Sequence, residues 1–218
     1  ALQVFRNYQA ALRQAGFRDQ AIARYRQALK IQKEFYPTKC PTYAHCQPWL
    51  DNYLALATIE DEVGDIPSAI DSYSKAQKIL TDISIHEIDN KDNKWDLSRT
   101  VSRIAKLQER SGNIPLAINY YQEAVAACQA LVAIDPTDMG ALREIAKIYA
   151  QMGRITLSIN GPLVAADYYH KALNIQTTVT DSAPKNLTWQ KELLEFYHLY
   201  GRALLIAGDD KKAYNIYD

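Results

Sequence analysis

The sequence predicts an all-α protein, a solenoid of five antiparallel helix pairs. Three observations predict it: a repeat of 48 residues, apolar residues spaced for one helical face, and turn residues between the two helices of each pair. The repeat is visible by eye, because GDIPSAIDSYSKAQKIL, which begins at Gly64, recurs 48 residues later as GNIPLAINYYQEAVAAC, which begins at Gly112.

Alanine and tyrosine keep one register through the whole chain. The alanines are Ala21, Ala69, Ala117, Ala165 and Ala213, and the tyrosines four residues further on are Tyr25, Tyr73, Tyr121, Tyr169 and Tyr217. Glycine stands five residues before the alanine in four copies, whereas the fourth copy has Asn160 there, followed by Gly161. We therefore expect a single solenoid over 1–218, with repeats at about 1–48, 49–96, 97–144, 145–192 and 193–218, the last one truncated.

The first helix of each copy is predicted from apolar residues that recur at intervals of three or four. We expect these residues to lie in the core. They are Leu97, Val101, Ile104 and Leu107 in the third copy, Trp49, Tyr53, Leu56, Ile59 and Val63 in the second, and Ile145, Tyr149, Met152, Ile155 and Ile159 in the fourth.

The turn and the second helix follow from residue chemistry, as the second copy illustrates. Gly64 is able to take the left-handed conformation that ends a helix, and Asp65 is a cap for the next one. Pro67 stands in the first turn, where the missing amide hydrogen has no helical partner to lose. Further on, small Ala69 lets the two backbones approach and Tyr73 fills the space one turn later.

This pattern resembles the tetratricopeptide repeat (TPR), whose signature is a large residue, a Leu-Gly-like pair, Gly, Ala, an aromatic residue and Ala at set spacings. The resemblance covers the whole chain. It implies a right-handed superhelix in which the first helices line a concave groove that holds a peptide or a helix of a partner. In the fifth copy the matching residues are Tyr197, Tyr200, Gly201, Gly208, Ala213 and Tyr217.

The period is longer than the usual value for this family, which is about 34 residues. We expect the surplus in the connectors from one second helix to the next first helix, such as SIHEIDNKDNK. Armadillo and HEAT repeats, at about 40 to 47 residues, come near the period but do not call for the Gly, Ala and Tyr spacing. Long-period TPR arrays with an Asp-Pro connector are similar to those of large bacterial signalling and regulatory proteins.

Composition excludes several classes of partner. Lys plus Arg and Asp plus Glu each total 25, so the balanced charge gives no general reason to expect nucleic acid or an anionic membrane. The longest apolar runs are far shorter than the roughly 20 residues of a transmembrane helix, and no secretory leader is visible. Three cysteines are too few for a disulfide framework and fit a reducing compartment, so we expect a cytoplasmic protein.

We expect no catalytic residues, no cofactor and no metal. The sequence has no phosphate-binding loop, dinucleotide fingerprint, zinc-protease motif or nucleophile elbow. The segment CPTYAHC brings Cys40, His45 and Cys46 together in a predicted connector, but a structural zinc site needs a fourth ligand, and none stands out. Cys128 lies in a second helix and is expected to fill the core.

One position of the first helix, which we expect to face the groove and call the slot, holds a cation in the last three copies. Folding does not require a cation there, so we expect this row to bind an acidic segment of a partner. Through the five copies the slot holds Ala10, Thr58, Lys106, Arg154 and Arg202. Further contacts are expected from Arg103, Arg110, Lys147, His198, Leu157 and Leu205.

The alternative for this row is a solvated surface, with cations paired to neighbours such as Glu109 and Glu195 in ion pairs worth at most about 1 kcal/mol. The clamp of lysine and asparagine with which some TPR proteins hold a chaperone tail is not expected, because Arg6 is followed one turn later by Ala10.

Two functions are compatible with the sequence. The first is a scaffold that captures a segment of a separate protein. The second is a regulatory or sensor module of a larger bacterial signalling protein, in which the repeats hold an effector or a catalytic domain of the same chain, such as an NTPase or a protease. We also expect that the apolar surface at the C-terminal end of the repeats permits self-association.

Overall fold

The structure is a computed structural model that describes residues 16–35, 42–159 and 161–217, without the side chains of Phe35 and Tyr217. Ala10, Arg6, Cys40 and Asn160 lie outside these residues. The described residues form helices joined by short turns, with no strand among them. The helices are α1 (Arg18–Phe35), α2 (Tyr43–Glu62), α3 (Ile66–His86), α4 (Lys91–Arg110), α5 (Ile114–Ile134), α6 (Met139–Leu157), α7 (Pro162–Ser182), α8 (Leu187–Ile206) and α9 (Asp210–Tyr217).

The chain divides into two units, a first unit over Ala1–Tyr120 and a second over Tyr121–Asp218, with the boundary inside α5. In the first unit α1 packs on α2, α2 on α3, and α3 on α4. In the second unit α6 packs on α7, α7 on α8, and α8 on α9. Because the turns are short, consecutive helices run antiparallel.

The predicted turn chemistry is confirmed. Gly64, Gly112 and Gly208 have φ of +85°, +81° and +77°, the left-handed region that residues with a Cβ rarely adopt. The amide of Asp65 donates to the Glu60 carbonyl at 2.9 Å, the bond that closes a Schellman turn. The Asp65 side chain then accepts from the Ser68 amide at 3.3 Å and caps α3.

The core follows the predicted pattern of small and large residues. Ala69, Ala117, Ala165 and Ala213 are fully buried, and the tyrosines Tyr25, Tyr73, Tyr121 and Tyr169 are at most 6% exposed. Cys128 is buried as expected.

The predicted burial of Val63 and Ile159 is wrong, because Val63 is 43% and Ile159 56% exposed. Val63 lies one residue and Ile159 two residues beyond the end of its helix, where the chain turns away from the apolar face.

The prediction that the connectors hold the surplus residues is also wrong for the three connectors that the structure describes in full. The second helices end at residues 86, 134 and 182 and the next first helices begin at 91, 139 and 187, which leaves connectors of four residues. The additional residues lengthen the helices instead. Asn90, Asp138 and Asn186 cap the first helices by accepting backbone amides, and each helix therefore starts before its apolar stripe.

Gly153 allows close contact between α6 and α7. A Cβ at Gly153 would stand 2.8 Å from the ring of Tyr169, which is only 2% exposed and has no room to move. We expect Gly153→Ala to lower the free energy of unfolding, because overpacking costs about 1–3 kcal/mol whereas the better helix propensity of alanine returns only about 1 kcal/mol.

The measurement is urea unfolding followed by circular dichroism. Gly140→Ala is the control, since Gly140 is an exposed residue in the first turn of the same helix. A stability gain in both variants would contradict the assigned close contact.

Candidate protein-binding surface

Four cations lie on one face of α4. Arg99, Arg103, Lys106 and Arg110 are spaced four, three and four residues apart, which places them on adjacent turns, and all four are exposed. We call this set the α4 basic face. Arg110 donates to the Asp61 carboxylate of α2. Arg99, Arg103 and Lys106 make no ion pair or hydrogen bond to any residue that the structure describes.

A cleft of about 210 Å³ lies beside the α4 basic face, within the first unit. The hydroxyl of Thr58 donates to the Leu54 carbonyl at 2.7 Å and lies 3.1 Å from the Tyr73 hydroxyl. We call this space the α2–α4 cleft. Its lining residues are Leu54 and Thr58 of α2, Tyr73 of α3, and Asp96, Arg99, Thr100 and Arg103 of α4.

Asp96 is the acidic member of this cleft. Its Oδ2 accepts a hydrogen bond of 2.7 Å from the Tyr43 hydroxyl at the start of α2. Burial, together with the hydrogen bond to Asp96, raises the pKa of Tyr43, so the hydroxyl keeps its proton and remains a donor. One oxygen of Asp96 is thereby engaged.

The second unit holds two residues of the predicted cation row. Arg154 on α6 and Arg202 on α8 are both exposed. The Nε of Arg154 donates to the Gln151 side chain at 3.1 Å. Arg202 has no ion pair or hydrogen bond to a described residue.

Lys147, another predicted contact, is engaged in an ion pair. Its Nζ lies 3.2 Å from Oε1 of Glu192, and Arg143 grips the same carboxylate with Nε and Nη2, each at 2.5 Å. Burial alone would raise the pKa of Glu192, but hydrogen bonds from Arg143 and Lys147 lower it below the ordinary value. This carboxylate stays ionised and joins α6 to α8.

The remaining predicted contacts differ in exposure. His198 is exposed on α8, and Leu205 is 51% exposed. Leu157 is half-buried and packs against the core of the second unit. The structure thus places His198 and Leu205 on accessible surface and leaves Leu157 partly within the packing of the unit.

Sequence reasoning missed Arg99, Arg143 and the ion pairs between neighbouring first helices. A usable signal was present, because Asp61 and Arg110, and likewise Arg143 and Glu192, are opposite charges 49 residues apart. That separation is one repeat plus one residue. A search for opposite charges at this spacing would have shown which cations are engaged.

His45 and Cys46 belong to the first turn of α2, so the expectation that they lie in a connector is wrong. The Nδ1 of His45 lies 2.6 Å from the Thr42 hydroxyl, and Cys46 is fully buried. Among the described residues, which do not include Cys40, no three His, Cys, Asp or Glu side chains are grouped so that they could hold a metal ion.

No protein-family model matches the sequence, and no curated protein matches it. Solved structures do match. The chain is similar to BtubC (BKLC) from P. vanneervenii, with a TM-score of 0.67 and 19% identity over 95% of this chain and 73% of that one. It is also similar to the nearly identical TPR-like repeats of a protein assigned as a kinesin light chain in Podosopora anserina, with a TM-score of 0.58 and 17% identity over 99% and 91% of the two chains.

The fold is that of the TPR-like repeat proteins. The predicted all-α solenoid is confirmed by this likeness. No helix in the described part of the chain has the length and apolar character to cross a membrane.

The Glu192 ion pairs predict a pH dependence of stability. Since the pKa of Glu192 is lowered in the folded state, its contribution is present above the ordinary carboxyl pKa of about 4.3 and is lost as the pH falls through the folded-state pKa. We expect Glu192→Gln to lower the free energy of unfolding by about 1–3 kcal/mol near neutral pH. Below the folded-state pKa the difference from the wild type should shrink.

Thermal melts between about pH 7 and about pH 3 measure this difference. Glu195→Gln is the control, because Glu195 is exposed on the same helix and makes no ion pair to a described residue. The assignment fails if the two variants give the same pH profile.

Proposed function

We propose that this protein is a non-enzymatic interaction scaffold that binds an acidic segment of a separate protein through cations on its first helices. The observation that carries the proposal is the unpaired state of exposed cations. Arg103 and Lys106 in the first unit and Arg202 in the second have no ion pair or hydrogen bond to a described residue. Such a cation attracts an anionic partner without first losing an interaction inside the fold.

The ion pairs divide the predicted contacts into two groups. Arg110 and Lys147 already face Asp61 and Glu192, so recruiting them would first break an existing pair. We assign primary contact to Arg103, Lys106, Arg154 and Arg202, with His198 and Leu205 as neighbouring contacts.

In the second unit, Arg154 and Arg202 stand one repeat apart on α6 and α8. Packed helices lie about 8–10 Å apart, and an extended peptide advances roughly 3.3 Å per residue, so acidic side chains about three residues apart match this spacing.

Charge reversal tests the proposal. The variant Lys106→Glu, Arg154→Glu, Arg202→Glu should lose binding of a fluorescent peptide of about 12 residues that carries glutamate at every third position, measured by anisotropy. For the wild type, binding should weaken steeply with salt, because screening acts over about 10 Å at 0.1 M ionic strength. Helicity and melting temperature should change little, since exposed charges contribute little to folding.

The matched control reverses three exposed lysines on second helices, Lys30, Lys78 and Lys211, and so produces the same change in net charge. Binding should persist in this control. Equal loss in both triple variants would show attraction by net charge alone, and retained binding in the first variant would place the binding surface elsewhere.

Self-association stays a separate prediction. α8 exposes Leu194 to 68%, Leu205 to 51% and Ile206 to 53%, which is apolar surface available to a second copy. Sedimentation of the full chain as a monomer at high micromolar concentration would overturn it.

A further inference from the structure

The α2–α4 cleft has the size of a site for one side chain. Pockets that hold drug-sized ligands are about 300–1,000 Å³, whereas this cleft is about 210 Å³. It opens beside the α4 basic face, so a peptide that lies along this face could place one residue in it. The ligand to consider is therefore a side chain of a bound segment.

The cleft has more cationic groups than a single carboxylate ligand would need. A carboxylate has two oxygens and is satisfied by the fork of one guanidinium, whereas a phosphate monoester presents three terminal oxygens and close to two negative charges. Arg99 and Arg103 stand one turn apart, both line the cleft, and neither has a partner among the described residues. Thr100, between them in the sequence, lines the same cleft.

The other groups of the cleft fit the remainder of such a side chain. Leu54 supplies an apolar wall for carbon atoms. Asp96 would repel a phosphate placed directly against it, but Tyr43 already donates to one of its oxygens. The other oxygen is able to accept a backbone amide of a peptide, which would hold the phosphate toward the arginines.

We propose that the α2–α4 cleft receives a phosphorylated serine or threonine side chain of the bound segment, gripped by Arg99 and Arg103. This inference rests on the proposed function, because it names the chemistry of one residue in the acidic partner. It extends the binding surface to Arg99, Asp96 and Thr100, which the repeat pattern alone did not indicate.

The test uses the full chain and small capped amino acids as probes. Capped phosphothreonine, capped glutamate and inorganic phosphate are titrated while NMR follows the Arg99 and Arg103 Nε–Hε groups and the Leu54 methyl groups. We expect capped phosphothreonine to shift all of these signals and to bind at least about tenfold more tightly than capped glutamate. Inorganic phosphate should bind more weakly, because it makes no contact with Leu54.

The double variant Arg99→Lys, Arg103→Lys tests the role of the two guanidinium groups. It keeps both charges but loses the planar forks, so the preference for capped phosphothreonine over capped glutamate should fall about tenfold. Arg24→Lys on α1 is the control, because Arg24 is exposed and is not assigned to the binding surface, and it should leave this preference unchanged. Both arginines are exposed, which leaves the fold intact.

Two results would overturn the proposal. One is equal affinity for capped phosphothreonine and capped glutamate with the acidic peptide still bound, which removes the phosphate preference and leaves the scaffold function standing. The other is binding of capped phosphothreonine that the double lysine variant does not alter, which places the phosphate elsewhere. Binding of the acidic peptide to the charge-reversal variant tests only the proposed function and does not bear on the phosphate preference.

Discussion

The fold depends on the close approach of two helices around an alanine and a tyrosine of the second helix. In the first unit, Ala69 and Tyr73 pack with Ala57, Ile104 and Leu107, so one cluster joins α2, α3 and α4. In the second unit the corresponding pair belongs to a cluster that joins α6, α7, α8 and α9. Each tyrosine thus fixes its own helix pair and also docks the next first helix. A single repeat buries little apolar surface by itself. The contacts that each tyrosine makes with the next repeat therefore stabilise the fold.

The same arrangement leaves the opposite face of the first helices free to vary. Buried positions repeat from copy to copy, whereas the slot of Thr58 holds lysine in the next copy and arginine in the two that follow. Thr58 turns its hydroxyl inward to a backbone carbonyl and to Tyr73, while Lys106 extends into solvent. A fold held by its inner faces can therefore present different charges at this position with little effect on stability, and under the proposed function these are the residues that contact the partner.

The sequence predicted the parts of the fold that depend on local chemistry and on burial. The glycine at the turn, the Asp65 cap and the Ala–Tyr core were all predicted correctly. Each of them depends only on backbone geometry or on side-chain volume within one copy. The connectors were predicted too long because the apolar stripe begins about two turns after the cap. The cap residue also differs between copies, as Thr42, Asn90, Asp138 and Asn186 show. The α2–α4 cleft was not predictable, because it depends on the spacing between helices that a one-dimensional pattern does not give.

Charge pairing across neighbouring first helices decides which cations remain available. Arg110 meets Asp61 and Arg143 meets Glu192, in each case from one first helix to the next. Glu192 also forms an ion pair with Lys147, so one partly buried carboxylate neutralises two basic residues of α6. The more exposed pair of Arg110 and Asp61 contributes little stability, whereas the pairs at both sites change the surface potential. In each unit the acidic residues therefore decide, together with the basic ones, which positive charges stay unpaired, and Arg103 and Lys106 have no ion pair to a described residue.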